Sequence, residues 1–257
     1  METSFWDGKR ANGIADTIDV SQYDSVVEVI EQSFKKYADR PAFTSIGLTM
    51  TYKEIDEYSA AFAGYLQNHT NLKPGDTIAI QMPNTLQYPI AMYAALRCGF
   101  RVTNVNPLYT EREMEHQFND SGAKALVCME MFARSVQNVV ENTGVETVIV
   151  TSLADMLPTV KRTLINFAVK HLKKMVPAYS LPNAISFRKA LKLGARKTFK
   201  ANHFKDPQDT IILQYTGGTT GVAKGAELTN RNIVANMLQS KNGLGQLGDD
   251  GLPLKGT

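Results

Sequence analysis

Residues 215–224 hold three glycines, four hydroxyls and one lysine, within the run Gln214-Tyr215-Thr216-Gly217-Gly218-Thr219-Thr220-Gly221-Val222-Ala223-Lys224-Gly225. Those residue types at that density are suited to binding phosphate. Glycine reaches positive φ and lets backbone N–H groups approach an anion that a Cβ would hold off. The threonine hydroxyls add donors, and Lys224 adds a compact positive charge. The spacing excludes two common phosphate loops. One needs Gly-Lys-Ser/Thr, but Ala223 precedes Lys224 and Gly225 follows it; the other needs Gly-x-Gly-x-x-Gly, but the glycines fall at 217, 218, 221 and 225.

The loop follows an apolar run, Thr210-Ile211-Ile212-Leu213, and precedes a helix-like stretch, Asn232-Ile233-Val234-Ala235-Asn236-Met237-Leu238. The upstream chain alternates in the same way. After an irregular lead, Ser25 opens a helix through Tyr37, with Glu28 at capping-box spacing. Residues 40–46 read as a strand, Gly47 as a turn, and 49–51 as the strand that pairs back. Thr51 with Glu54 then caps a helix carrying Ile55, Tyr58, Phe62 and Leu66. Lys73-Pro74-Gly75-Asp76 is a turn. Strands are expected over 77–82, 101–105, 124–129 and 146–150, separated by helices over 86–96, 110–118 and 132–140. Such alternation predicts an α/β fold with a mostly parallel sheet, and ligands bind beyond the carboxyl ends of its strands.

Residue by residue, 216–225 resembles the Thr-Gly-Gly-Thr-Thr-Gly-x-Ala-Lys-Gly loop of the adenylate-forming enzymes, a superfamily of acyl-CoA synthetases, luciferases and adenylation domains. Three further stretches are similar to its bacterial long-chain fatty-acyl-CoA synthetase branch: Met82-Pro83-Asn84-Thr85-Leu86-Gln87-Tyr88-Pro89, Leu96-Arg97-Cys98-Gly99-Phe100, and Asn104-Val105-Asn106-Pro107-Leu108-Tyr109-Thr110-Glu111-Arg112-Glu113. The resemblance runs from about residue 25 to about 240. Many relatives have proline where this chain has Ala223, and histidine where it has Asn230. The long-chain motifs carry no chemical role in this reading.

The resemblance implies a fatty acid:CoA ligase that joins a carboxylate to AMP, releases pyrophosphate and passes the acyl group to CoA. ATP, Mg²⁺ and CoA are then required. Tyr215, Thr216, Gly217, Gly218, Thr219, Thr220, Gly221 and Lys224 would line the nucleotide phosphates, with Lys224 and Thr219 closest to the chemistry. The alternatives are a ligase for aryl or other acyl groups, and a non-catalytic nucleotide- or lipid-binding module. In the family the magnesium ligand, the base-binding residues and a C-terminal lid with a catalytic lysine lie further along the chain. Residues 1–24 are therefore expected to be a lead, and 25–257 an incomplete AMP-binding domain, inactive alone and with open sheet edges.

Composition narrows the setting. The 257 residues are 43% hydrophobic, enough for a large core, and the net charge is +3. No basic-then-apolar signal opens the chain, and no apolar run approaches the roughly 18 to 20 residues of a membrane span. The expected location is cytoplasmic. Cys98 and Cys128 sit in apolar runs and read as buried free thiols. His69, His116, His171 and His203 have no partner at catalytic or metal-ligand spacing, and no metal ligand is assigned.

Charge is segregated. Residues 157–204 hold no Asp or Glu, while 12 of the 28 basic residues fall between 157 and 205; the rest of the chain carries 16 against 25 acidic residues. Wound as a helix, 157–176 places Val160, Leu164, Phe167, Ala168, Leu172 and Met175 on one face and Arg162, Asn166, Lys170, Lys173 and Lys174 on the other. Three readings stand. The helix lies on a membrane surface, or it packs its apolar face on the sheet, or it binds nucleic acid. The last lacks both a recognised fold and interleaved aromatics.

Overall fold

The structure is a computed structural model that describes residues 17–202, 204–216 and 222–243. In chain order it contains α1 (Val26–Lys36), the hairpin β1 (Pro41–Ser45) and β2 (Leu48–Thr51), α2 (Tyr52–His69), β3 (Thr77–Gln81), α3 (Gln87–Arg97) and β4 (Arg101–Asn104). There follow α4 (Glu111–Asp120), β5 (Ala123–Met129), α5 (Ala133–Val139), β6 (Thr147–Thr151), α6 (Thr159–Phe167), β7 (Ile185–Ser186) and α7 (Phe187–Gly194). Last come β8 (Thr210–Thr216), β9 (Lys224–Thr229) and α8 (Asn230–Gly243).

Local chemistry explains the boundaries. Thr51 with Glu54, and Thr110 with Glu113, form complete capping boxes at the starts of α2 and α4. The box expected at Ser25 is half-formed. Ser25 Oγ accepts from the Glu28 N–H at 3.1 Å, but Glu28 Oε2 accepts from the N–H of Asp24 at 2.7 Å, one residue before the cap. The β1–β2 turn is made by Ile46 at φ 51° and Gly47 at φ 72°, the two successive positive values that suit a tight hairpin.

Seven strands form one sheet in the order β7-β6-β5-β3-β4-β8-β9, and every pairing is parallel except β8 with β9. The hairpin β1–β2 is a separate two-stranded sheet. Helices cover both faces. On one side Ile55, Phe62, Leu66, Ile90, Leu96 and Phe187 pack against Ile78, Ile80 and Val102; on the other Met114, Phe118, Val136 and Val139 pack against Ala79, Leu126 and Cys128. Strands buried on both faces explain the apolar runs at 78–80 in β3 and 125–129 in β5. The α2 and α7 backbones meet at two glycines. A Cβ on Gly64 would lie 2.6 Å from Gly194 O, and one on Gly194 would collide with Ala61 O.

The basic amphipathic segment departs from expectation. The α-helix ends at Phe167, a π-helical turn covers Ala168–Leu172, and Lys174 takes φ 51°. The docked side carries Arg162, Asn166 and buried Val169, while Lys170, Lys173 and Lys174 stay exposed. Asn166 Oδ1 accepts from the Ala154 N–H at 2.9 Å, Asn166 Nδ2 donates to Asp155 Oδ1 at 3.5 Å, and Arg162 donates to Leu157 O at 3.4 Å. Val160, Leu164, Phe167 and Leu172 are 73%, 64%, 55% and 72% exposed, so the reading in which the apolar face packs on the sheet does not hold among the described residues. No described helix is long and apolar enough to cross a membrane.

Candidate active site

The glycine-rich run bridges β8 and β9, an antiparallel pair in which Thr216 faces Lys224, Tyr215 faces Gly225 and Gln214 faces Ala226. Because β3, β4, β5, β6 and β8 are parallel, the run leaves the sheet at their shared carboxyl ends, where open α/β sheets bind ligands. The apolar 210–213 run builds β8 as expected. The strand β9 has no periodic apolar signal, and only pairing with β8 defines it. Gly217, Gly218, Thr219, Thr220 and Gly221 lie outside the described residues.

Alternation along the strands divides the remaining candidates between two faces. Thr216 and Lys224 share one face and are both exposed. Among the described residues no carboxylate forms an ion pair with Lys224. Tyr215 points to the opposite face. Its hydroxyl donates to Asp120 Oδ2 at 2.5 Å, and its ring packs edge-on against His116. Burial first, and then the bond and charge of Asp120, hold the Tyr215 phenol above its ordinary pKa, so it stays a neutral donor.

A polar ladder joins this hairpin to its neighbours. Tyr88 Oη donates to Asn104 Oδ1 at 3.0 Å, Asn104 Nδ2 to Gln214 Oε1 at 3.4 Å, and Gln214 Nε2 to Tyr215 O at 3.4 Å. On the other face Gln117 Nε2 donates to Thr103 Oγ1 at 2.8 Å and Asn104 O at 3.0 Å, while Thr103 Oγ1 donates to Leu213 O at 3.0 Å. Asn104 opens the stretch that carried only family likeness in the sequence, and here it ties α3 and α4 to the strand entering the loop. His116 Nε2 lies 2.9 Å from Ala223 O on the exit side. Its spacing from other histidines could not reveal this contact, because the partner is a backbone carbonyl 107 residues away.

The two cysteines are buried within the fold, and the other described histidines pack against aromatic rings. Burial pushes both the Cys98 and Cys128 thiols up to about 12, which leaves them protonated and inert. His69 stacks on Tyr65 and His171 lies against Phe167; His203 is outside the described residues. Among the described residues no group of three His, Cys, Asp or Glu could hold a metal ion.

This geometry agrees with the comparisons. Residues 30–252 match the family model described as AMP-binding enzyme. The chain is 50% identical over 234 residues to a long-chain-fatty-acid–CoA ligase of Escherichia coli O157:H7, an alignment covering 91% of this chain and 42% of that protein. It is 30% identical over 208 residues to a long-chain-fatty-acid–CoA ligase of Bacillus subtilis, covering 81% of this chain and 37% of that one. Among solved structures, a long-chain-fatty-acid-CoA ligase from Archaeoglobus fulgidus superposes with a TM-score of 0.65 at 27% identity, over 84% of this chain and 39% of the other. The chain thus spans less than half the length of the relatives it matches. With a glycine- and threonine-rich loop carried at the carboxyl ends of a parallel sheet, and a family match over most of its length, the chain belongs to the AMP-binding enzyme family.

Proposed function

We propose that the whole protein is an ATP-dependent long-chain fatty acid:CoA ligase, and that residues 25–257 are the N-terminal part of its AMP-binding domain. The observation that carries this reading is the phosphate-type loop between β8 and β9, in a chain 50% identical to a long-chain-fatty-acid–CoA ligase. The fatty carboxylate attacks the α-phosphorus of ATP; the bond to the bridging oxygen breaks, and pyrophosphate leaves with that electron pair. CoA thiol then displaces AMP from the acyl carbon.

The chain's part in the first step is electrostatic. A carboxylate approaching a triphosphate meets like charge, and the leaving pyrophosphate gathers more. Lys224, Thr216 and the loop donors, Thr219 among them, offset that charge where it develops. Magnesium carried on the triphosphate would neutralise further charge.

The test is pyrophosphate release by the full-length protein with ATP, palmitate and CoA. Release with aryl or shorter acids in place of palmitate would favour the other acyl-CoA ligases. ATP binding without turnover would favour a non-catalytic module.

We further propose a cytoplasmic protein that touches the membrane surface through residues 157–176. The supporting observation is the outward apolar face of α6 and its π-turn, rimmed by exposed Lys170, Lys173 and Lys174 in a segment without carboxylates. Such a face suits an anionic bilayer, with apolar side chains below the headgroups and lysines among them. Equal binding to neutral and anionic vesicles, or none at low salt, would reject it.

A further inference from the structure

We propose that α4 clamps the phosphate-binding loop, with His116 and Asp120 as positioning residues that hold its two ends. This deepens, and rests on, the phosphate-loop reading above. Asp120 takes the hydroxyl of Tyr215 on the entering strand. One helical turn earlier, His116 meets the carbonyl of Ala223 on the departing side at 2.9 Å. A carbonyl only accepts, so His116 carries its proton on Nε2 and donates. Both anchors stand on one helix, and the two positions they hold, 215 and 223, are separated in the sequence by seven residues.

Two observations make the clamp specific. The Tyr215 ring packs against Gly225, its cross-strand partner: a Cβ there would come 2.9 Å from the ring. Glycine at 225 therefore lets the tyrosine settle where its hydroxyl reaches Asp120. The helix itself is fixed at its start by the Thr110–Glu113 capping box and along its length by Gln117, which bonds Thr103 Oγ1 and Asn104 O. The 104–113 stretch thus gains a role, as the foundation of the clamp.

The physical reason for a clamp is entropy. Glycine loses more conformational freedom on being fixed than any other residue, and three of the seven residues between the anchored positions are glycine. Tying the loop's ends beforehand lowers that cost, and the gain falls on ATP and not on the fatty acid.

The test uses the full-length protein. His116→Leu removes the donor, and His116→Gln keeps an N–H close to the Nε2 position. Loss of one such bond is expected to raise KM for ATP about fivefold in His116→Leu, with KM for the fatty acid unchanged and His116→Gln within about twofold of wild type. Asp120→Ala paired with Asp120→Asn, at an exposed position, gives a second arm should His116→Leu fail to fold. Trypsin cleavage after Lys224, without nucleotide, should be faster in His116→Leu and Asp120→Ala than in wild type. Wild-type KM for ATP in both truncating variants overturns the clamp, as does a glutamine variant no better than the leucine variant. If the wild-type protein exchanges no pyrophosphate into ATP, the ligase reading has failed, and cleavage after Lys224 alone decides the clamp.

Discussion

Asn230 Oδ1 accepts the N–H of Val26 at 2.9 Å, joining the start of α8 to the first turn of α1 across 204 residues. The same side chain donates to Phe204 O at 3.0 Å, and Asn230 is 2% exposed. Position 230 is where many relatives carry histidine, and here an amide supplies both an acceptor and a donor. Asn230→Ala should therefore leave a buried N–H and a carbonyl unpaired, at about 1 to 3 kcal/mol. The expected outcome is a lower urea midpoint with little change in KM for ATP, measured on the full-length protein. An unchanged midpoint would mean that water replaces both bonds.

Lys224→Ala and Thr219→Val should slow adenylate formation and leave the fold intact. Lys224 is exposed and has no ion-pair partner among the described residues, so its removal frees no buried charge. Removing one donor aimed at developing charge costs about 2.7 to 4 kcal/mol in the transition state. Acid-dependent exchange of pyrophosphate into ATP reads this directly. Wild-type exchange in both variants would refute the role given to the loop.

The two buried thiols set an alkaline limit. Burial raises Cys98 and Cys128 from 9.0 to about 12. The unfolded chain loses these protons near pH 9 and the folded chain near 12, so the stabilisation is complete below 9 and is lost as pH rises through 12. Each thiol contributes a slope of roughly 1.4 kcal/mol per pH unit between those values. Cys128→Ala should flatten the fall in melting temperature above pH 9. In the folded protein at pH 8, iodoacetamide should label neither thiol until denaturant is added.

Replacing Leu164 and Phe167 with serine should leave stability within about 0.5 kcal/mol of wild type, because both side chains are more than half exposed. Binding to anionic vesicles should fall. Charge reversal at Lys170, Lys173 and Lys174 should weaken it further, by roughly 1 kcal/mol per lysine, and added salt should do the same. A marked loss of stability in the serine variants would show instead that this face is covered within the full-length protein.

What the sequence determined by itself was local. Apolar runs, turn glycines and the Thr-x-x-Glu boxes at 51 and 110 depend on neighbours three or four residues away, so the elements from α1 to β6 and the composition of the phosphate loop were legible. The parallel sheet followed from alternation alone. Tertiary structure decided what depends on distant partners. Strand β9 has no apolar period and exists because β8 offers it an edge, and α7 sits where Gly64 and Gly194 let two backbones meet. His116 looked ordinary because its partner is a backbone carbonyl, which no side-chain spacing can announce. The amphipathic pattern of 157–176 identified an apolar face but not its direction. Asn166, reaching Ala154 and Asp155, and buried Val169 dock the side that carries them, so the apolar face points outward, because hydrogen-bond partners a dozen residues away are set by the tertiary structure and not by helical periodicity.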